Sequence, residues 1–152
     1  MKINIVHTCS GQQPVAATVA AKIYQSLPEG EAVANCVDKA APAEDDLVLA
    51  VFSLRAGSFA PTVACYRELR DKKVAFVAIL TGPVDQARVR KTIWAIKKQF
   101  CGNYVVGGYL CPAESDEPWG LPAAELTKVL AYARRLYDEH LAPEEGALAV
   151  NY

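Results

Sequence analysis

The sequence has 152 residues, of which 52% are hydrophobic, and this size and composition predict a single domain with a full core. The formal net charge of -1 provides no general attraction to nucleic acid or to an anionic membrane, so neither is an expected partner. No apolar run reaches the length of a membrane-spanning helix, and the amino terminus lacks a signal-peptide pattern, which predicts a cytoplasmic protein. The oligomeric state stays open at this level.

The cysteine and histidine content argues against a metal or disulfide framework. Five cysteines, an odd number without a C-x-x-C pair, favour reduced thiols over disulfides or a zinc site. The two histidines, His7 and His140, are too few for a histidine-based metal centre. No metal ligands are therefore predicted.

Apolar runs and helical periodicities alternate along the chain. Strands are predicted at residues 2–6, 32–37, 46–52, 73–80 and 104–111. Helices are predicted from Pro14, Pro61 and Val84, and again around Leu126. This alternation predicts a parallel sheet with helices on both faces, in a domain of residues 1–142 followed by a C-terminal tail of residues 143–152.

Residues 8–13 join the first predicted strand to the helix that begins at Pro14. The loop contains hydroxyls at Thr8 and Ser10 and a glycine at Gly11, and it meets the free N–H groups of a starting helix. Those donors and the helix dipole both favour a bound phosphate or carboxylate. An ordinary strand-to-helix turn explains the same residues equally well.

In open α/β sheets, ligands bind beyond the carboxyl ends of the strands, where the strand order reverses. Those ends are the loops that follow Val6, Phe52 and Leu80. The three loops are therefore predicted to form one site.

Several enzyme motifs fail at the first loop. A cysteine phosphatase resembles C-x5-R, but the arginine position counted from Cys9 holds Val15, so nucleophilic catalysis is not expected, although the helix start could still make the Cys9 thiol reactive. The dinucleotide-binding G-x-G-x-x-G and the P-loop both need more than the single Gly11. No catalytic residue is predicted.

The helix that follows Val84 is strongly basic. Its basic residues either form an anion-binding patch or simply solvate an outer helix face: Arg88, Arg90, Lys91, Lys97 and Lys98. Trp94 in the same helix and Trp119 in a later loop are interpreted as packing residues.

The chain resembles the flavodoxin-like family over most of its length. In flavodoxins the first loop has the form S/T-x-T-G-x-T and binds the phosphate of FMN, and here it reads Thr8-Cys9-Ser10-Gly11-Gln12-Gln13. The last position departs from the family pattern, since Gln13 replaces a hydroxyl residue but still offers an amide donor. The resemblance implies a flavodoxin-like three-layer α/β/α sandwich with a five-stranded parallel sheet of order 2-1-3-4-5.

The second and third loops also look like a branch of single-domain flavodoxin-like proteins. Residues 51–58 resemble its glycine-phenylalanine-tryptophan stretch that ends in glycine-threonine, residues 79–85 its threonine-leucine-glycine-alanine-tyrosine-proline-aspartate stretch, and Leu110-Cys111 its leucine-cysteine pair. The resemblance implies that these loops bind FMN through Thr8, Cys9, Ser10, Gly11, Gln12, Gln13, Ser53, Leu54, Arg55, Ala56, Gly57, Thr81, Gly82, Pro83 and Asp85.

The loops lack the aromatic rings that commonly sandwich the flavin, with Ser53 or Leu54 and Pro83 or Val84 in their places. The resemblance implies an FMN-binding electron-transfer protein that passes electrons between protein partners, a redox carrier rather than a substrate-turning enzyme. The alternative is a flavodoxin fold that has lost FMN and serves as a non-redox binding or protein-interaction module. Arg55 either stabilises a reduced flavin or is a solvated loop residue, and His7 is either a proton donor or structural.

Overall fold

A five-stranded parallel sheet forms the centre of the protein, in a computed structural model that describes residues 2–7, 14–36, 46–55, 69–81, 86–115, 117 and 119–140. The strands have the order β2-β1-β3-β4-β5, and every neighbouring pair is parallel. They are β1 (Ile3–His7), β2 (Ala32–Cys36), β3 (Leu47–Arg55), β4 (Lys73–Thr81) and β5 (Tyr104–Ala113). The predicted sheet and its order are confirmed.

The described helices lie on both faces of the sheet. They are α1 (Pro14–Ser26), α2 (Gln86–Gln99) and α3 (Ala123–His140). Helix α1 begins at Pro14 as predicted, where the missing N–H costs nothing. The helix predicted from Pro61 lies outside the described residues, as does the C-terminal tail.

Alternate side chains of β1, β3, β4 and β5 enter two separate apolar layers, because successive strand residues point to opposite faces. The first layer packs Ile5, Val51 and Val77 against α1 and α3. The second layer packs Phe52 and Phe76 against α2, through buried Ile96 and the following Phe100. The two layers confirm the α/β/α sandwich.

Strands β3 and β5 run at least two residues further than the sequence predicts. Strand β3 continues past Phe52 to Arg55, because Ser53 and Leu54 pair with β4 and are only 6% and 4% exposed. Strand β5 continues through Pro112 to Ala113. Proline fits there because β5 ends the sheet, where an outward-facing position needs no N–H donor.

The prediction that both tryptophans are packing residues is wrong. Trp94 is 66% exposed on α2, and Trp119 is 78% exposed in the loop before α3. Trp94 falls on the solvent side of α2, opposite buried Thr92 and Ile96. Among the described helices, none has the length and apolar character needed to cross a membrane.

Candidate functional site

At the carboxyl edge of the sheet, β3 and β4 extend further than their neighbour β1, and this difference in length is called the step below. His7 at the end of β1 lies beside Val51, and Val51 lies beside Val77 of β4. Strands β3 and β4 then continue together for four more residues, to Arg55 and Thr81. At about 3.3 Å per residue, they project about 13 Å beyond the end of β1.

The step coincides with the point where the strand order reverses. The chain places β2 on one side of β1 and then crosses to place β3 on the other side. Crossovers that leave in opposite directions open a crevice at this edge, which is where open α/β sheets bind ligands. Strand β1 ends at His7, beside this step, and the next described element along the chain is α1, which begins at Pro14.

One hydrogen bond joins the ends of β3 and β4, the two strands that project beyond β1. The Thr81 hydroxyl donates to the Leu54 carbonyl at 3.5 Å, and Thr81 is also the register partner of Arg55. The described ends of β3 and β4 therefore lie side by side. Thr81 is partly buried, so this bond holds two strand ends at the border with solvent.

The side chains of Ser53 and Leu54 lie on opposite faces of β3. Leu54 belongs to the apolar layer under α2, together with Phe52 and Leu80. At 4% exposure, its side chain has almost no free surface for contact with a flavin ring. What Leu54 offers at this edge is its backbone.

The predicted site residues fall into two groups. Ser53, Leu54, Arg55 and Thr81 lie together at the ends of the neighbouring strands β3 and β4. The others lie outside the described residues, so their contacts with FMN stay a prediction: Thr8, Cys9, Ser10, Gly11, Gln12, Gln13, Ala56, Gly57, Gly82, Pro83 and Asp85. Within the described part of the chain, no three histidine, cysteine or carboxylate side chains lie together as metal ligands would.

A polar cluster that the sequence did not reveal lies between β5 and α3. The buried Cys111 thiol is 4.0 Å from a Glu125 carboxylate oxygen, and Lys128 pairs with the same carboxylate at 3.3 Å. Burial, with a further contribution from the negative charge of Glu125, raises the pKa of Cys111 to about 12. The same two causes raise the pKa of Tyr109. The Cys111 thiol and the Tyr109 hydroxyl therefore stay protonated at neutral pH.

Cys111 is expected to resist alkylation in the folded protein, because only the thiolate is nucleophilic and its pKa is about 12. Cys101 is exposed and should react readily. Peptide mapping after brief iodoacetamide treatment should find Cys101 modified and Cys111 modified only after denaturation. Equal labelling of both cysteines in the folded protein would contradict this account.

The raised pKa of Cys111 also implies a loss of stability in alkali. The unfolded thiol, with a pKa near 9.0, releases a proton that the folded thiol retains up to about pH 12. The contribution of this thiol to the free energy of unfolding is thus fully present below about pH 9 and is lost as the pH rises towards 12. Cys111→Ala should reduce the slope without removing it, since burial also raises the pKa of Tyr132 to about 12. Urea unfolding across this pH range measures the slope.

The sheet order, the two helix layers and the step at the carboxyl edge define a flavodoxin-like α/β fold. No protein-family model and no curated protein matches the sequence. Among solved structures, oxidised Flavodoxin 1 from Bacillus cereus aligns with a TM-score of 0.50 and 14% identity, over 93% of this chain and 100% of that one. A flavodoxin, WrbA-like protein from Agrobacterium tumefaciens aligns with a TM-score of 0.47 and 11% identity, over 91% and 98%. The chain has the flavodoxin-like fold.

Proposed function

We propose that the protein binds FMN at the stepped carboxyl edge of the sheet and transfers electrons between protein partners. The observation that carries the proposal is the step at the reversal of strand order, where β3 and β4 project beyond β1. Residues 8–13, which join β1 to α1 in sequence, resemble the phosphate loop of flavodoxins. The geometry and the resemblance therefore select the same edge.

The start of α1 suits the phosphate. The helix has 13 residues and no acidic residue in its first turn. Its dipole and free N–H groups therefore attract an anion without a carboxylate in that turn to oppose it. In this proposal Thr8, Ser10, Gly11, Gln12 and Gln13 surround the phosphate.

The ends of β3 and β4 are suited to bind the flavin ring of FMN. Arg55 and Thr81 end neighbouring strands, and in this proposal the residues that follow them in sequence, among them Gly57 and Gly82, flank the ring. FMN supplies reversible electron transfer when bound, and the chain sets the potential through the charges and backbone groups near it. The lack of a nicotinamide-binding G-x-G-x-x-G after β1 favours a carrier over a substrate-turning enzyme.

Reconstitution tests the proposal. Protein incubated with FMN and freed of unbound flavin should retain about one flavin per chain, be reduced by dithionite, and return its electrons to an added acceptor. Retention of flavin without reversible reduction would show that the protein binds flavin but does not carry electrons. Failure to retain any flavin would contradict the proposal.

One observation favours a second function, a non-redox module that has lost FMN. The buried Leu54 side chain offers no ring surface at the end of β3, where flavodoxins commonly place an aromatic residue. A protein of this kind would keep the fold and the crevice, yet bind neither FMN nor another flavin. The reconstitution experiment separates the two functions.

Pro83→Tyr is expected to tighten FMN binding and make the second reduction step more negative. An aromatic pair contributes about 0.5–1.5 kcal/mol beyond area burial, which corresponds to a roughly twofold to tenfold gain in affinity. The electron-rich face of the new ring also disfavours a reduced, anionic flavin. The matched control is Leu54→Tyr, which should destabilise the fold instead, because Leu54 is buried in the α2 layer. Potentiometric titration measures the shift, and tighter binding with an unchanged or raised potential would contradict the placement.

A further inference from the structure

Helix α2 presents an exposed basic face around a single tryptophan. Arg90, Lys91, Lys97 and Lys98 are exposed on the same side as Trp94. Trp94 is 66% exposed, and the Lys98 ammonium lies 5.2 Å from the centroid of its ring. These five residues are called the α2 face below.

Solvation alone does not explain the α2 face, as a comparison with α3 shows. The exposed cations of α3 each have a carboxylate within one helical turn: Lys128 with Glu125, Arg134 with Asp138 and Arg135 with Glu139. Helix α2 contains no acidic residue along its 14 positions. Its cations therefore leave a positive field that no carboxylate of the same helix neutralises, beside a large exposed ring of the type enriched in binding hot spots.

An apolar groove of about 460 Å³ lies beside the α2 face, between α2 and β5. Val89 and Ile93 form one wall, Val105 and Leu110 the other, and Phe76 lies between them. Gly108 makes room for the Phe76 ring, since a Cβ there would lie 2.1 Å from the ring. Lys97 lines the groove and also belongs to the α2 face, so the two surfaces are continuous.

Strand β5 borders the groove and is the last strand of the described sheet. Its ten residues include no charged side chain, and Tyr104 and Val106 are 69% and 37% exposed. Within the described residues, no strand pairs with the outer edge of β5. Such an edge presents backbone donors and acceptors to another chain.

We propose that this surface binds an extended acidic segment of a partner protein. The segment would add to the outer edge of β5 through its backbone, place alternate apolar side chains over the groove, and meet the α2 face with its carboxylates. The edge strand selects a polypeptide, because neither a lipid surface nor a nucleic acid supplies complementary backbone groups. The cations select acidic side chains. This inference is independent of FMN.

The test uses the full-length protein without flavin and a fluorescent peptide of alternating glutamate and valine, matched to the ten residues of β5. The control ligands are a lysine-valine peptide of equal length and vesicles of phosphatidylserine. The informative variant is K97E/K98E, and its matched control is R134E/R135E, which reverses two exposed charges on α3. Anisotropy measures binding, amide hydrogen exchange reports on β5, and circular dichroism verifies that each variant is folded.

The acidic peptide should bind the wild type and R134E/R135E alike, bind K97E/K98E at least about tenfold more weakly, and slow amide exchange in β5. The lysine peptide should not bind. Equal weakening by both variants, or binding without protection of β5, would overturn the proposal. Binding of vesicles in place of the peptide would overturn it too, and would assign the α2 face to a membrane surface.

Discussion

Replacing Ser10 by glutamate is expected to abolish FMN binding while leaving the protein folded. Ser10 holds the third position of the loop that resembles the phosphate loop of flavodoxins. A carboxylate at about 4 Å from a phosphate charge costs about 4 kcal/mol at an effective dielectric constant near 20. This repulsion corresponds to a loss of more than about a hundredfold in affinity. Flavin fluorescence titration measures the loss.

Ser10→Gln is the matched control, because glutamine has nearly the same size as glutamate and no charge. It should lose far less affinity than Ser10→Glu, since its amide can still donate to an anion. If both variants bind FMN as well as the wild type does, the loop does not hold the phosphate. If both lose binding equally, bulk rather than charge is responsible.

Gly108→Ala is expected to lower the free energy of unfolding by about 1–3 kcal/mol, the usual cost of overpacking a core. The new Cβ would lie 2.1 Å from one carbon of the Phe76 ring and 2.5 Å from two others. That ring is 2% exposed and contacts Phe52 at a centroid distance of 6.4 Å, so it has little room to move. Urea unfolding with a two-state fit measures the difference.

The neighbouring glycine provides the control. A Cβ at Gly107 would meet mainly the Tyr132 hydroxyl, at 2.7 Å, which is the far end of a longer side chain. Gly107→Ala should therefore cost less than Gly108→Ala. Equal stability of Gly108→Ala and the wild type would show that Phe76 does not fill the space above Gly108.

The architecture could be predicted from local sequence patterns and from the resemblance to flavodoxins. Continuous apolar runs identified the buried parallel strands, and resemblance supplied their order. The end of β3 could not be predicted from the sequence, because Ser53 and Arg55 are polar and extend the strand only through pairing with β4. Likewise, Pro112 is a loop residue by propensity and belongs to a strand only because β5 lies at the edge of the sheet.

The side-chain environment around the candidate site could not be predicted, because it depends on contacts between residues that are far apart in the sequence. Cys111 and Glu125 are 14 positions apart and meet because α3 returns along β5. Leu54 looks like a loop residue in sequence, yet it completes the apolar layer with Phe52 and Leu80. Sequence patterns placed the candidate site at the carboxyl edge of the sheet, whereas the burial of each side chain there followed from tertiary packing.

Titration of the flavin-free protein with FMN, FAD and riboflavin tests the central claim most directly. Quenching of flavin fluorescence should show one FMN site per chain and much weaker binding of riboflavin, which lacks the phosphate that the start of α1 attracts. FAD should also bind more weakly, because the loop of residues 8–13 offers hydroxyls and a glycine for a single phosphate. FAD binding equal to or tighter than FMN binding, or no binding of any flavin, would contradict the account.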